Sequence, residues 1–215
     1  MPKKNIANIY DAPKSNVQFS EGQKSKGILD DYAERQHITF KSLNDRWEDL
    51  RTPSNLVKIS ATKPPEWTDY RGGQVLAFGD EAINEEVVFF TIQMPHGWKE
   101  GSGIRPHIHL VPEDATAGNA RFLLTYSWAN KDGVFGAESS ETITCAMPGV
   151  ANTHKLYSFT EIAGTGKEIS SILVCSLTRK SSDVLDTFDG KSVYFLEVDF
   201  HYLIDSTGSR QELIK

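Results

Sequence analysis

The chain has 215 residues and a net charge of −6, long enough for one domain with a single good core plus an appendage. The acidic balance argues against a general nucleic-acid or membrane-surface binder, and no window approaches the apolar length that spans a bilayer. The start, Met1-Pro2-Lys3-Lys4-Asn5, lacks the apolar core of a secretory signal. A soluble protein made in a cytoplasm is therefore expected, with neither nucleic acid nor membrane as partner.

Residues 1–26 are polar and carry five lysines against Asp11 and Glu21. Such a segment cannot bury enough apolar surface to fold alone, so it reads as an extended arm held by a neighbouring subunit or a larger assembly. From Ile28 to Leu50 the pattern turns helical. Phe40, Leu43, Trp47 and Leu50 follow at spacings of three, four and three, one stripe of a helix that Pro53 ends. The stripe packs either on its own domain or as an anchor or trimer contact. Residues 52–72, with Pro53, Pro64, Pro65 and Gly72-Gly73, read as an irregular linker. The expected division is an arm over 1–26, a helical anchor and linker over 27–72, and a β-domain over 73–215.

After Gly73 the pattern changes to period two. Strands are expected at Gln74–Phe78, Glu86–Met94, Ile104–Val111, Arg121–Trp128, Glu141–Met147, Lys155–Ile162, Ile169–Arg179 and Ser192–Ile204. Turn signals such as Gly97, Asp132-Gly133, Pro148-Gly149 and Asp189-Gly190 separate them. Short punctuated strands with no long helix between them point to an all-β fold, a jelly-roll-like antiparallel β-sandwich. Val88, Phe90 and Ile92 should face the core from one strand and Leu196, Val198 and Phe200 from another. Glu197, Asp199 and His201 then take the opposite face. Cys145 and Cys175 sit in strand-like sequence without CxxC or zinc spacing, the setting of buried free thiols.

One segment carries chemistry: Ile104-Arg105-Pro106-His107-Ile108-His109-Leu110. Side chains alternate along a strand, so His107 and His109 project together while Ile108 and Leu110 point the other way. From Gly101 onward the run resembles the first half of the metal-binding cupin motif, in which His107, His109 and Glu113 would hold a divalent ion. Neutral imidazole and carboxylate suit Fe, Mn, Ni or Zn. The second half should add a His after a Pro-x-Gly turn. Here Pro148-Gly149 precedes His154 at the wrong spacing, and Pro112-Glu113 looks like a strand running into a turn. This is half a motif. Asp199 and His201 share a strand face in the same way, so neighbouring strands would create a cluster of imidazoles and carboxylates. The plainer reading is a polar face making cross-strand contacts without metal. His96 sits in a turn, where it caps or stacks. No phosphate loop, nucleophile elbow or local Cys-His signature is present.

Four blocks read as whole phrases: FTIQMPHGWKEGSGIRPHIHLVP (90–112), LTYSWANKDGVFG (124–136), EISSILVCSLTR (168–179) and FLEVDFHYLIDSTGSRQELIK (195–215). They resemble a group of tailed-bacteriophage virion proteins, and the likeness runs over about residues 45–215. The resemblance implies a trimeric β-sandwich on the particle, as capsid decoration, head fibre or neck component, with no established catalysis. On that basis the chain is expected to be a virion structural protein rather than an enzyme, without cofactor. It would be assembled in the bacterial host cytoplasm and attached through residues 1–50 to capsid, portal or neck and tail proteins. His107, His109, Asp199 and His201 would then face a trimer interface. A cupin-like metalloenzyme using His107, His109 and Glu113 is the second reading. A carbohydrate-binding receptor module, with its site in the loops Lys131–Gly136 or Ser181–Lys191, is the third.

Overall fold

Period-two sequence becomes strand wherever one face can be buried, and it does so repeatedly along the described residues. The computed structural model describes residues 46–80 and 83–214. Among them are eleven strands: β1 (Arg46–Pro53), β2 (Lys58–Ile59), β3 (Glu66–Tyr70), β4 (Gly73–Phe78), β5 (Val87–Gln93), β6 (Ile104–Pro112), β7 (Ala117–Ala129), β8 (Ser139–Pro148), β9 (Lys155–Ser158), β10 (Ile172–Arg179) and β11 (Val193–Ile204). Helical structure among these residues is limited to a 3-10 turn at Ser54–Leu56. Two antiparallel sheets form a sandwich, in the orders β3-β4-β11-β6-β9 and β2-β5-β10-β7-β8, as the jelly-roll-like expectation requires.

Strand β11 organises the first sheet. Along one edge it pairs with β6 from Val193 to Tyr202, apart from the bulge at Leu196. Along the other, Val193–Phe195 pair with β4 while Glu197–Ile204 pair with β1. The inner faces meet in a continuous apolar core. Val88, Phe90 and Ile92 from β5 face Ile108 and Leu110 of β6 and Val198 and Phe200 of β11, all buried. Phe78 is gripped edge-on by Phe122 of the opposite sheet at 5.5 Å and by Phe195 at 5.9 Å, arrangements favoured by the ring quadrupole. Both cysteines are buried and free. Gly164 permits a close approach, since a Cβ there would meet the Ser102 carbonyl oxygen at 2.0 Å and Trp98 at 2.9 Å.

Three expectations are corrected. Trp47 and Leu50 lie on β1, not on a helix, and occupy opposite faces of it; Phe40 and Leu43 lie outside the described residues. Helical spacing is a weak prior, and here a ladder to the free edge of β11 supplies the backbone partners instead. The supposed linker 52–72 contains β2, β3 and the end of β1. Finally, the register of β11 against β6 shifts between Phe195 and Glu197. The extra residue of this bulge puts Phe195 into the core in place of Leu196, which is half-buried.

A buried ion pair fixes one end of the sandwich. Arg179, fully buried at the end of β10, meets both oxygens of Asp186 and donates to the carbonyls of Phe78, Phe188 and Lys191. The loop Ser181–Lys191 is therefore pinned from inside, although Val184 and Leu185 remain exposed.

Candidate metal centre

The outward face of the first sheet is built by register. Pairing of β11 with β6 sets Asp199 opposite His107 and Glu197 opposite His109. Pairing with β1 sets Asp49 opposite His201 and Arg51 opposite Asp199. Because every second residue points outward, these side chains converge on one patch. His154, just before β9, completes it. Its ring stacks on His109 at 4.9 Å; His109 and His107 rings are 5.1 Å apart, and His201 meets His107 edge-on at 4.2 Å. Four imidazoles thus form a row with three carboxylates beside them.

The contacts within the patch are unevenly satisfied. His109 Nδ1 lies 2.7 Å from His154 Nε2, and His201 Nε2 lies 2.8 Å from Asp49 Oδ1. Arg51 meets Glu197 at 2.7 Å, and Arg105, paired with Glu161, lies 4.3 Å over the Trp47 ring. In contrast, His109 Nε2 and Asp199 Oδ1 are both buried and neither has a hydrogen-bond partner. His107 Nε2 is 2.7 Å from that oxygen, close but poorly directed for hydrogen bonding. Buried polar atoms without partners are costly, so two of them aimed at one point require an explanation.

A cation held between them would supply one. His109 Nε2 stands 3.5 Å from Asp199 Oδ1 and 4.0 Å from Glu197 Oε1, too far for hydrogen bonds. A four-coordinate ion bound at about 2.0–2.1 Å keeps its ligand atoms roughly 3.3–3.4 Å apart, close to this spacing. In the tautomer in which His109 Nδ1 donates to His154 Nε2, the His109 Nε2 presents a lone pair to two carboxylates. Burial also lowers the pKa of His109, an effect the nearby carboxylates oppose, and so favours the neutral ring that a metal requires.

Among the described residues, two sets of potential ligand atoms lie within 4.8 Å of one another: His109, Glu197 and Asp199, and His107, Asp199 and His201. This overturns the expectation of a chain with no catalytic equipment. Imidazole and carboxylate sets that leave coordination positions open are the equipment of metal-dependent enzymes. Of the cupin-type trio, His109 falls in the first set and His107 in the second, while Glu113 is in neither; it lies past the end of β6 and accepts the Ser192 backbone N–H at 2.7 Å. One chain suffices to gather His107, His109, Asp199 and His201, without a second copy.

No family model matches the chain, and no curated protein does. Among solved structures, the enzymatically active domain of bacteriophage CBA120 tailspike protein 4 aligns at 12% identity and a TM-score of 0.35, over 73% of this chain and 19% of the tailspike. The CBM36-1 domain of a xylanase from the hindgut metagenome of Trinervitermes trinervoides aligns at 11% identity and 0.41, covering 72% of this chain and 96% of that domain. An infectious bursal disease virus structure (Gt strain) gives 13% identity and 0.39, over 76% and 33%. At these TM-scores none of the three bears on what this chain does.

Sequence reasoning placed Asp199 and His201 on one face with Glu197, but did not count Glu197 among the candidate ligands, nor Asp49 and His154 among their partners. The alternation along β11 already carried Glu197. Asp49 was hidden by the helical reading of its segment, and His154 by judging it against a motif spacing rather than against the strand that follows it. Elsewhere, His96 bridges Ser209 at 2.7 Å and Ser170 at 3.2 Å, a tethering role. Burial pushes the Cys175 thiol up to about 12 and Cys145 higher still, which leaves neither as a nucleophile.

Proposed function

We propose that this chain is a metal-dependent β-sandwich protein of the enzyme type, holding a divalent transition-metal ion between His109 Nε2, Asp199 Oδ1 and Glu197 Oε1. The observation that carries this reading is the convergence of two buried, unpartnered ligand atoms, one from β6 and one from β11. Three protein ligands leave at least one coordination position for solvent or substrate, the arrangement of a catalytic rather than a closed structural site. Bound there, an ion supplies Lewis-acid chemistry. The chain's own residues orient the ligands: His154 fixes the His109 ring, and Arg51 holds Glu197 from the β1 side.

Zinc, manganese, iron and nickel are the candidates for such a nitrogen and oxygen set. Purified protein should contain such an ion, and His109→Ala should lose it while keeping the fold. Protein that takes up no ion from any of these four salts after chelation would remove the proposal.

A second reading concerns where the chain works. The four sequence blocks support a place on a tailed-phage particle, as a homotrimer attached through residues 1–50 to capsid, portal or neck and tail proteins. The two readings are compatible. Mass spectrometry of purified particles tests the location, and light scattering of the pure chain tests the trimer. Absence from particles, or a monomer at every concentration, would contradict it.

A further inference from the structure

The centre proposed above is taken as holding one ion; we propose that it holds two, with Asp199 as the bridging ligand. This inference rests on the metal-binding reading and extends it. Asp199 is the residue common to both ligand sets. It lies between the two histidines of β6, its Oδ1 at 2.7 Å from His107 Nε2 and 3.5 Å from His109 Nε2. A carboxylate offers two oxygens and about four lone-pair sites, enough to serve two ions at the roughly 3.5–4 Å separation of two-metal centres. Burial of its side chain, only 4% exposed, removes water as the competing partner.

The two positions differ in their surroundings. The first ion uses His109 and Glu197. The second uses His107 and His201, whose rings meet edge-on at 4.2 Å. His201 carries an outer carboxylate, Asp49 of β1, at 2.8 Å from its Nε2, the carboxylate–imidazole pairing that orients ligand histidines. Asp49, Glu197 and Asp199 also bring three carboxylates to one small patch, and Arg51 is ion-paired with Glu197. Arg51 interacts with all three carboxylates but carries a single positive charge, and a second divalent cation offsets the remainder. Both positions take their ligands from β6 and β11, and β1 adds an outer partner to each, Arg51 beside Glu197 and Asp49 beside His201.

The test uses the full chain, stripped of metal by chelation and titrated with zinc alone, with stoichiometry read by calorimetry and elemental analysis. Two ions per chain are expected. His201→Ala should bind one, and Asp199→Asn should lose high-affinity binding at both positions. Asp49→Ala should keep two but bind one about 10–100-fold more weakly. Loading with two equivalents of manganese should give an exchange-coupled paramagnetic resonance signal, and uncoupled ions would overturn the bridge. His201 is half-exposed, so its variant should fold, and a melting curve of each variant checks this. One ion per chain in the native protein, unchanged by His201→Ala, would overturn the second ion while leaving the one-ion reading intact. No ion at all would sink both.

Discussion

Asp199 is the residue on which the proposed centre turns, and its burial makes opposite predictions for the bare and the loaded protein. Without metal it is a buried carboxylate whose Oδ1 has no directed donor, a costly state. Asp199→Asn should therefore leave the metal-free protein as stable as the native chain or more so. The same variant should abolish the rise in melting temperature that zinc gives the native chain, as scanning calorimetry with and without zinc would show. Arg179 supplies the contrasting case of a satisfied buried charge. Its guanidinium uses every donor group on Asp186 and three carbonyls. Arg179→Ala would strand Asp186 and should cost about 3–5 kcal/mol in urea unfolding; a loss under 1 kcal/mol would mean that water replaces the guanidinium. Neither role was legible from residue type alone. Alternation showed that His107 and His109 share a face, but which carboxylates they meet depends on pairing between segments about ninety residues apart. Glu113, nearer in sequence, accepts the Ser192 backbone N–H instead of joining them.

At the scale of elements, β1 decides the edge of the first sheet and adds outer partners to the candidate centre. It covers the C-terminal half of β11 and delivers Asp49 and Arg51. A chain beginning at Asn44 should melt cooperatively and bind metal. One beginning at Gly73 should expose the β11 edge and aggregate, as uncovered strand edges do. If the shorter chain stays monomeric with an unchanged melting temperature, β1 is not integral to the sandwich. The eight strands from Gly73 onward were legible because each buries one face and so alternates. Strands β1 to β3 were not. Arg46–Pro53 has only Leu50 and Thr52 turned inward, β2 has two residues, and β3 is largely exposed. Their strand character comes from the neighbours they pair with. The bulge at Phe195–Glu197 was illegible for a related reason. An inserted residue reverses the alternation, and the run Phe195-Leu196-Glu197-Val198 offers apolar side chains in either phase.

At the scale of the whole molecule, the sandwich is a rigid support that sets β6 beside β11 and so holds the ligands at fixed spacing without a loop. Its stability should be linked to the ion by mass action. A metal present at a hundred times its dissociation constant adds about 2.7 kcal/mol, or roughly 5–10 °C in melting temperature for a domain of this size. Chelation should lower the midpoint by that amount and zinc should restore it; a midpoint indifferent to both would indicate a polar face without metal. The virion reading and the metal reading meet here, because an ion that stiffens a sandwich serves a particle as readily as it serves catalysis. The measurement that tests the central claim most directly is the metal content of the freshly purified full chain, by elemental analysis against protein concentration. A stoichiometric divalent transition metal, at one or two per chain and lost in His109→Ala, is the predicted result. A native chain with far less than one equivalent of any such ion, and no uptake when zinc is added, would contradict it.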